Sequence, residues 1–203
     1  MDNSYNSVRL CGRALTAPVL SHINHGTAFC RFMLSVPRLS GQRDELRILI
    51  PEELVAGIVP GQIYTVIGHL RSFNNKSGVG ARLVISVLAR QILPGGEYPF
   101  NQICLSGVLC KPPALRRTPL GREICDITLA VNRRYGRADY LPCIAWGAVA
   151  EMTAAMNVGD RLTVEGRVQS RTYNKNLGAA MEQRVAYEVS IMRPATREEF
   201  REV

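Results

Sequence analysis

Apolar and polar residues alternate in several short stretches of the chain, and this alternation predicts β-strands. In RLTVEGRV, residues 161–168, every second position carries an apolar or small side chain, which is the period of a half-buried strand. Similar stretches occur at 102–109, 123–131, 140–146 and 185–192. A helical pattern occurs in GAVAEMTAAMNVG, and its counterpart PEELVAGIVPG begins with Pro51, which suits a first helical position. The pattern predicts a mostly β protein with little helix.

The chain also matches itself at an offset of 95 residues. NSVRLCGRALTAPVL (6–20) aligns with NQICLSGVLCKPPAL (101–115), and GQIYTVIGHLRS (61–72) aligns with GDRLTVEGRVQS (159–170) after a three-residue slip. Identical pairs in the first register include Gly12 and Gly107, Cys30 and Cys125, Arg38 and Arg133, and Asp44 and Asp139. So many identities in one register indicate a tandem duplication.

The two repeats meet in LPGGEYPFN (93–101), a segment rich in glycine and proline that interrupts regular structure. We therefore expect two domains, residues 1–97 and residues 98–203, each of a normal size for a small domain. Each repeat contains five short predicted strands with a helix between strands three and four. This is the element order of the OB-fold, a small Greek-key barrel. The predicted fold class is all-β, with two tandem OB-fold barrels.

The charge of the chain favours a polyanionic partner. The formal net charge is +8 at pH 7, and only three of the 25 basic residues are lysines. Arginine suits nucleic acid, because its guanidinium group binds phosphate in a fork and stacks on bases. A GC-rich genome, which favours arginine codons, is an alternative explanation.

Signatures of catalysis and of cofactor binding are absent from the sequence. There is no Walker loop, no Gly-x-Ser-x-Gly elbow and no His-Glu-x-x-His motif. The six cysteines form no CxxC pair and have no histidine near them at zinc-ligand spacing. No apolar run approaches the roughly 18 residues that span a bilayer, and the N-terminus has no secretory signal. We expect a cytoplasmic protein with no enzyme activity, no cofactor, no metal and no membrane partner.

Four segments of the second repeat carry a family resemblance when taken in order. They are NQICLSGVLCKPPALRRTPLG, ITLAVNRRYGRADYLPCIAWGAVAE, VGDRLTVEGRVQSRTYNKNLG and YEVSI, within residues 101–192. Together they make this repeat similar to the bacterial single-stranded DNA-binding protein family. The resemblance implies binding of single-stranded DNA without sequence preference, in replication, recombination or repair. It also implies a bacterial protein that is associated with the nucleoid when bound to DNA.

In that family, aromatic side chains stack on unpaired bases, an interaction that tolerates any sequence. The matching positions are Tyr135, Tyr140, Trp146 and Tyr173. Basic neighbours that can reach phosphates are Arg133, Arg134, Arg137, Arg171 and Lys175. The period of two places Tyr140 and Trp146 on one strand face. Two alternatives stay open: Trp146 packs between barrel and helix, or Tyr140 is an ordinary strand residue.

The first repeat departs from this pattern. Its residues at the four aromatic positions are Ser40, Glu45, Pro51 and Asn75, although the glycines and leucines that set the fold are retained. We therefore expect a mainly architectural first domain. Weaker candidates for DNA contact in it are Arg38, Arg71, Phe73 and Lys76.

The resemblance also implies an assembly. Family members usually place four OB-folds around the nucleic acid, so two folds per chain imply a homodimer. They typically end in an acidic tip that recruits other proteins, whereas this sequence ends in MRPATREEFREV, and no such tip is expected. One alternative function is that of a primosomal replication protein N-like adaptor, which acts mainly through protein contacts. Another is a structural interaction module in which both repeats bind protein.

Overall fold

The computed structural model describes residues 4–75, 81–176, 181–196 and 198–200. The strands of the first repeat are β1 (Tyr5–Ala14), β2 (Val19–Asn24), β3 (Thr27–Pro37), β4 (Arg43–Pro51), β5 (Ile63–Asn74) and β6 (Leu83–Pro94). Those of the second repeat are β7 (Phe100–Leu109), β8 (Ala114–Arg117), β9 (Glu123–Asn132), β10 (Ala138–Trp146), β11 (Arg161–Asn176) and β12 (Met181–Pro194). All five stretches of the second repeat in which the sequence predicted strands lie in strands.

Within each repeat the strand pairing returns to the strand from which it starts. In the first repeat β1 pairs antiparallel with β3 and β5, β5 pairs with β6, β6 runs parallel to β4, and β4 pairs with β3. In the second repeat β7, β9, β10, β12 and β11 follow the same order. Five strands form each ring. The short strands β2 and β8, which pair with β3 and β9, are additional to the five that the sequence predicted.

The helices of the two repeats differ. The second repeat has an α-helix, α1 (Ala148–Ala154), between β10 and β11, as predicted, whereas the corresponding described segment of the first repeat, between β4 and β5, has only a 3-10 turn, Glu52–Leu54. Pro51 caps this turn instead of beginning a helix, and Gly57 follows with a φ of 85°, a conformation that ends helical structure. Within the described ranges no helix is long and apolar enough to span a membrane.

The interior of each ring is apolar because alternate residues of its strands point inward. Fully buried aliphatic residues of the first repeat include Leu10, Leu34, Ile48 and Val66, and those of the second include Ile103, Leu105, Leu129 and Leu141. The inward residues of the second repeat lie in the stretches whose period of two predicted strands. The residues that point outward along the same strands are mostly polar or exposed.

The chain forms two compact units that do not coincide with the two repeats. The first compact unit consists of Val8–Asn101 and Gln169–Tyr187. The second compact unit consists of Gln102–Val168 with the segments up to Ser7 and from Glu188 onward. The far part of the β11–β12 hairpin therefore belongs to the same unit as most of the first repeat. The predicted division into 1–97 and 98–203 follows the sequence repeats, and it assigned this hairpin to the second domain.

Each repeat brings glycines against backbone carbonyls of neighbouring strands, and Gly12 and Gly107 are one such pair. A Cβ added to Gly12 would lie 2.4 Å from the Ser35 carbonyl oxygen, and one added to Gly107 would lie 2.7 Å from that of Ala130. These two glycines are aligned between the repeats. The close approach explains why no larger residue fits at either position.

We expect Gly107→Ala to lower the free energy of unfolding by about 1–3 kcal/mol, because the methyl group forces β7 away from β9. Urea denaturation measures this loss. Gly96→Ala is the control, since its added Cβ meets nothing within 4 Å, and it should leave the free energy unchanged within about 0.5 kcal/mol. Equal stability of Gly107→Ala and the wild type would show that the strands are not held this closely.

Candidate nucleic-acid interface

Two of the predicted aromatic residues share one face of β10, in the second compact unit. Tyr140 is 52% exposed and Trp146 is 38% exposed. The residues that alternate with them along the strand are buried, namely Asp139, Leu141, Cys143 and Ala145. The strand therefore points both aromatic rings away from the core. Trp146 is not packed in the interior, which was the first alternative.

The indole of Trp146 is held by a hydrogen bond although its ring is exposed. Its Nε1 donates to the Oγ of Ser190 at 3.2 Å, and parallel pairing of β10 with β12 places Ser190 opposite Ile144. A fixed edge with a free ring face is suited to stacking, because little side-chain entropy remains to be lost on binding. In the first repeat Pro51 aligns with Trp146. Leu88 pairs with Leu49 as Ser190 pairs with Ile144. Neither Pro51 nor Leu88 has a side chain that can form this bond.

Tyr135 is the most exposed of the four aromatic residues, at 94%. It lies in the loop between β9 and β10 with φ 63° and ψ 37°, a left-handed conformation that is uncommon for a residue other than glycine. Gly136 follows with a φ of 66°, and the Arg133 N–H closes the loop by donating to the Arg137 carbonyl at 2.7 Å. Such strain persists where the surrounding structure imposes it, and it often marks functional sites.

The three arginines of this loop have different surroundings. Arg133 forms an ion pair with Asp139, with 3.0 Å between Nε and Oδ2, and the carboxylate is fully buried. Arg134 and Arg137 are exposed. A buried carboxylate needs a partner of opposite charge, so Arg133 has a structural role that its sequence position did not reveal. Arg134 and Arg137 are the arginines of this loop that lie open to solvent.

Tyr173, the fourth aromatic residue, belongs to the first compact unit. The guanidinium carbon of Arg171 lies 5.9 Å from its ring centroid, within the range of a cation–π contact. Arg184, on the returning strand β12, lies close enough to Tyr173 to interact with it electrostatically, and its Nη2 lies 2.7 Å from the Glu182 carboxylate. The pKa of Arg184 is raised, chiefly by the hydrogen bond to Glu182. Tyr173 is thus flanked by two guanidinium groups.

The sequence analysis did not identify Arg184, because only the pairing of β11 with β12 places it beside Tyr173. A search for basic residues on the strand predicted to return from an aromatic position could have found it. Of the predicted lysines, Lys76 lies outside the described residues, and the side chain of Lys175 also lies outside them.

The weaker candidates all lie in the first repeat and have mixed surroundings. Arg38 binds the buried carboxylate of Asp44 through Nε at 2.8 Å and Nη2 at 2.5 Å, so its guanidinium group is engaged within the protein. Arg71 is half-buried. Phe73 is 51% exposed near the end of β5. It lies two positions before Asn75, the residue that aligns with Tyr173. The Ser, Glu, Pro and Asn that replace the stacking residues provide no aromatic ring.

The sequence analysis did not consider two further arginines on β8 as candidate phosphate contacts. Arg116 forms an ion pair with Asp126 at 2.5 Å, and Arg117 forms one with Glu123 at 2.8 Å. The pKa of Arg116 is raised chiefly by its hydrogen bond to Asp126, and the pKa of Glu123 is lowered chiefly by its hydrogen bond to Arg117. The adjacent arginines in ALRR were the available signal. A phosphate group here has to compete with carboxylates.

The cysteines show no arrangement of a metal site. All six carry free thiols, and four are buried, where burial raises the pKa of Cys143. Burial also raises the pKa of Cys110. No three His, Cys, Asp or Glu side chains among the described residues come together as metal ligands.

Sequence comparisons match the second repeat to one family. The model of the single-strand binding protein family matches residues 100–193. Single-stranded DNA-binding protein B of Bacillus subtilis is 41% identical over 86 residues, which cover 39% of this chain and 76% of that protein. Single-stranded DNA-binding protein 3 of Clostridium acetobutylicum is 40% identical over 85 residues, which cover 38% of this chain. The matched region spans only 59% of this second relative's length.

Structural comparison extends the similarity over both repeats. The wild-type single-stranded DNA binding protein from Thermus aquaticus superposes with a TM-score of 0.75 and 27% sequence identity, covering 96% of this chain and 94% of that chain. A deletion mutant of the same protein gives the same TM-score with 26% identity. Since the sequence match, the strand order and the structural match agree, the chain belongs to the single-strand binding protein family.

Proposed function

We propose that this protein binds single-stranded DNA without sequence preference and performs no catalysis. The observation that carries the proposal is the outward face of β10, where Tyr140 and the hydrogen-bonded indole of Trp146 lie over a buried row. Family membership supports it, as do the names of the relatives, which describe them as single-stranded DNA-binding proteins. Its biological setting would be replication, recombination or repair.

The mechanism proposed combines stacking with charge. Exposed rings stack on unpaired bases, with a contribution of about 1–3 kcal/mol per base that every base can provide. Arginines that lie open to solvent contact phosphates and release counterions from the strand. Arg134, Arg137 and Arg171 are the predicted arginines that best fit this role, because all three are exposed. Arg133 supports the loop from which Tyr135 projects.

The proposed architecture follows from the repeats. Each ring of five strands is an OB-fold barrel, with residues 1–97 and 98–203 as the two domains of the sequence. The second domain carries the stacking residues and the first is mainly architectural. Two folds per chain favour a homodimer that offers four folds to the strand, since cyclic dimers are the commonest assembly.

Trp146 provides the direct test of stacking. As the only tryptophan, it should lose fluorescence when oligo(dT) is added, because a base then covers the indole. We expect Trp146→Ala to weaken binding by about 1–3 kcal/mol without unfolding the chain. Tyr98→Ala is the control, since Tyr98 is exposed but outside the family positions. Unchanged emission at saturating DNA would contradict a stacked Trp146.

Two arginines of one loop should separate binding from stability. Arg137→Ala should weaken DNA binding and reduce the log–log salt slope by about 0.7, the change for one lost phosphate contact on a single strand. Arg133→Ala should instead destabilise the fold by about 3–5 kcal/mol, because it leaves the buried Asp139 carboxylate uncompensated. Urea denaturation and oligo(dT) titration measure the two effects. A stable Arg133→Ala protein would refute the structural role of that ion pair.

The salt dependence tests whether arginine contacts to phosphate supply affinity. The observed binding constant for oligo(dT) should fall with salt along a log–log slope of about −0.7 per phosphate neutralised. Poly(dA), poly(dT) and mixed sequences should differ only modestly, because stacking does not discriminate between bases. A strong preference for one short sequence or for duplex would exclude the proposed function.

A further inference from the structure

The first repeat hydrogen-bonds to Ser170, a residue of the long β11–β12 hairpin of the second repeat. The bonds involve the amide, the carbonyl and the hydroxyl of Ser170. In the first compact unit, the Ser170 N–H donates to Asp44 Oδ1 at 2.8 Å. The Ser170 carbonyl accepts from Arg38 Nη2 at 3.2 Å, and the Ser170 hydroxyl accepts from the Glu45 N–H at 3.2 Å. Ser170 is thus fixed at its amide, its carbonyl and its side chain.

The centre of this arrangement is a buried ion pair. The Asp44 side chain is only 1% exposed and the Arg38 side chain only 15%, and Arg38 supplies two hydrogen bonds to the carboxylate. A desolvated pair of charges holds its geometry, because separating the partners leaves a buried charge without compensation. The Ser170 N–H satisfies a further lone pair of the same carboxylate. The position of Ser170 is therefore tied to a buried ion pair of the first repeat.

The returning strand of the hairpin passes near the same part of the first repeat. Tyr187, on β12, has a raised pKa, chiefly because it is buried, and Arg47 and Glu45 on β4 act on it electrostatically. Ser170 on β11 is thus bonded to β4 and to the loop before it, and Tyr187 on β12 lies near β4. The segment between these supports, which begins at Gln169, carries Arg171, Tyr173 and Arg184.

We propose that the first repeat positions Tyr173 for stacking on DNA, with Arg38 and Asp44 as positioning residues that act through Ser170. Tyr173 lies three residues beyond Ser170 on the same strand, so fixing the backbone at Ser170 sets the direction in which the ring and Arg171 project. The same ion pair occurs in the second repeat as Arg133 and Asp139, but only Asp44 and Arg38 are bonded to the backbone of Ser170. The inference rests on the proposed DNA-binding function and gives the architectural repeat a specific task in it.

A net-charge effect and a positioning role predict opposite changes in DNA affinity for one substitution at Asp44. Asp44→Asn removes a negative charge, and the more positive protein should bind a polyanion more tightly if only net charge matters. If the carboxylate positions the hairpin, the same substitution should bind DNA more weakly. Glu52→Gln makes the same charge change at an exposed residue of the first repeat, and it is the matched control.

The experiment is a double-mutant cycle on the full chain with oligo(dT) at fixed salt. We expect Tyr173→Ala to weaken binding roughly 5- to 150-fold, the range for one lost stacked base. Asp44→Asn should weaken it at least about twofold in the wild-type background and have no further effect in the Tyr173→Ala background, as expected for residues that act through one another. In the Trp146→Ala background its effect should be undiminished. Glu52→Gln should not weaken binding.

The outcomes separate the proposals. Wild-type protein that fails to bind oligo(dT) overturns both the function and the inference. Binding that Asp44→Asn weakens equally in all three backgrounds, or strengthens like Glu52→Gln, overturns the positioning role alone. If Asp44→Asn unfolds the chain, Ser170→Ala replaces it in the cycle, because it removes only the hydroxyl, which accepts from the Glu45 N–H and donates to Asp44 Oδ1 at 3.5 Å. Coupling of either variant to Tyr173→Ala, with Trp146 fluorescence still quenched at saturation, supports the positioning role.

Discussion

The buried carboxylate of Asp44 is the constraint on which the arrangement of the hairpin depends. A charge in the interior is tolerated only when it is compensated and hydrogen-bonded, and both conditions are met here by Arg38 and the Ser170 amide. Neither partner can move far without leaving the charge unsatisfied. The segment that carries Tyr173 is consequently part of the first compact unit, although its sequence belongs to the second repeat.

The two repeats have kept the same internal features and acquired different surfaces. Both retain the ring of strands, the glycine beneath a neighbouring carbonyl, and an ion pair with a buried aspartate. The outward face of β10 carries Tyr140 and Trp146, whereas the corresponding positions on β4 carry Glu45 and Pro51. Inward residues are constrained by packing in both copies, and outward residues are free to differ. Duplication has thus left two copies with similar inward residues and different outward faces.

Arginines on this protein show why composition alone does not identify binding residues. Arg133 and Arg137 are four residues apart in one loop, and no local pattern distinguishes them. Only Arg133 lies beside a buried carboxylate. Arg116 and Arg117 carry ion-pair partners on the neighbouring strand. An arginine can contact phosphate at low cost only where no internal carboxylate holds it, and that condition is set by the residues that face it from the adjoining strand.

By itself the sequence determined the five ring strands of the second repeat, the helix after β10, the duplication and the shared outward face of Tyr140 and Trp146. These features depend on the period of side chains along a strand, which is a property of the local backbone. Only the tertiary structure decided that Trp146 is anchored to Ser190, that Arg184 flanks Tyr173, and that the hairpin joins the first compact unit. The hydrogen bond between Ser170 and Asp44 joins residues 126 positions apart. Such contacts depend on how the strands are connected and packed, and the periodicity of side chains along one strand does not predict this.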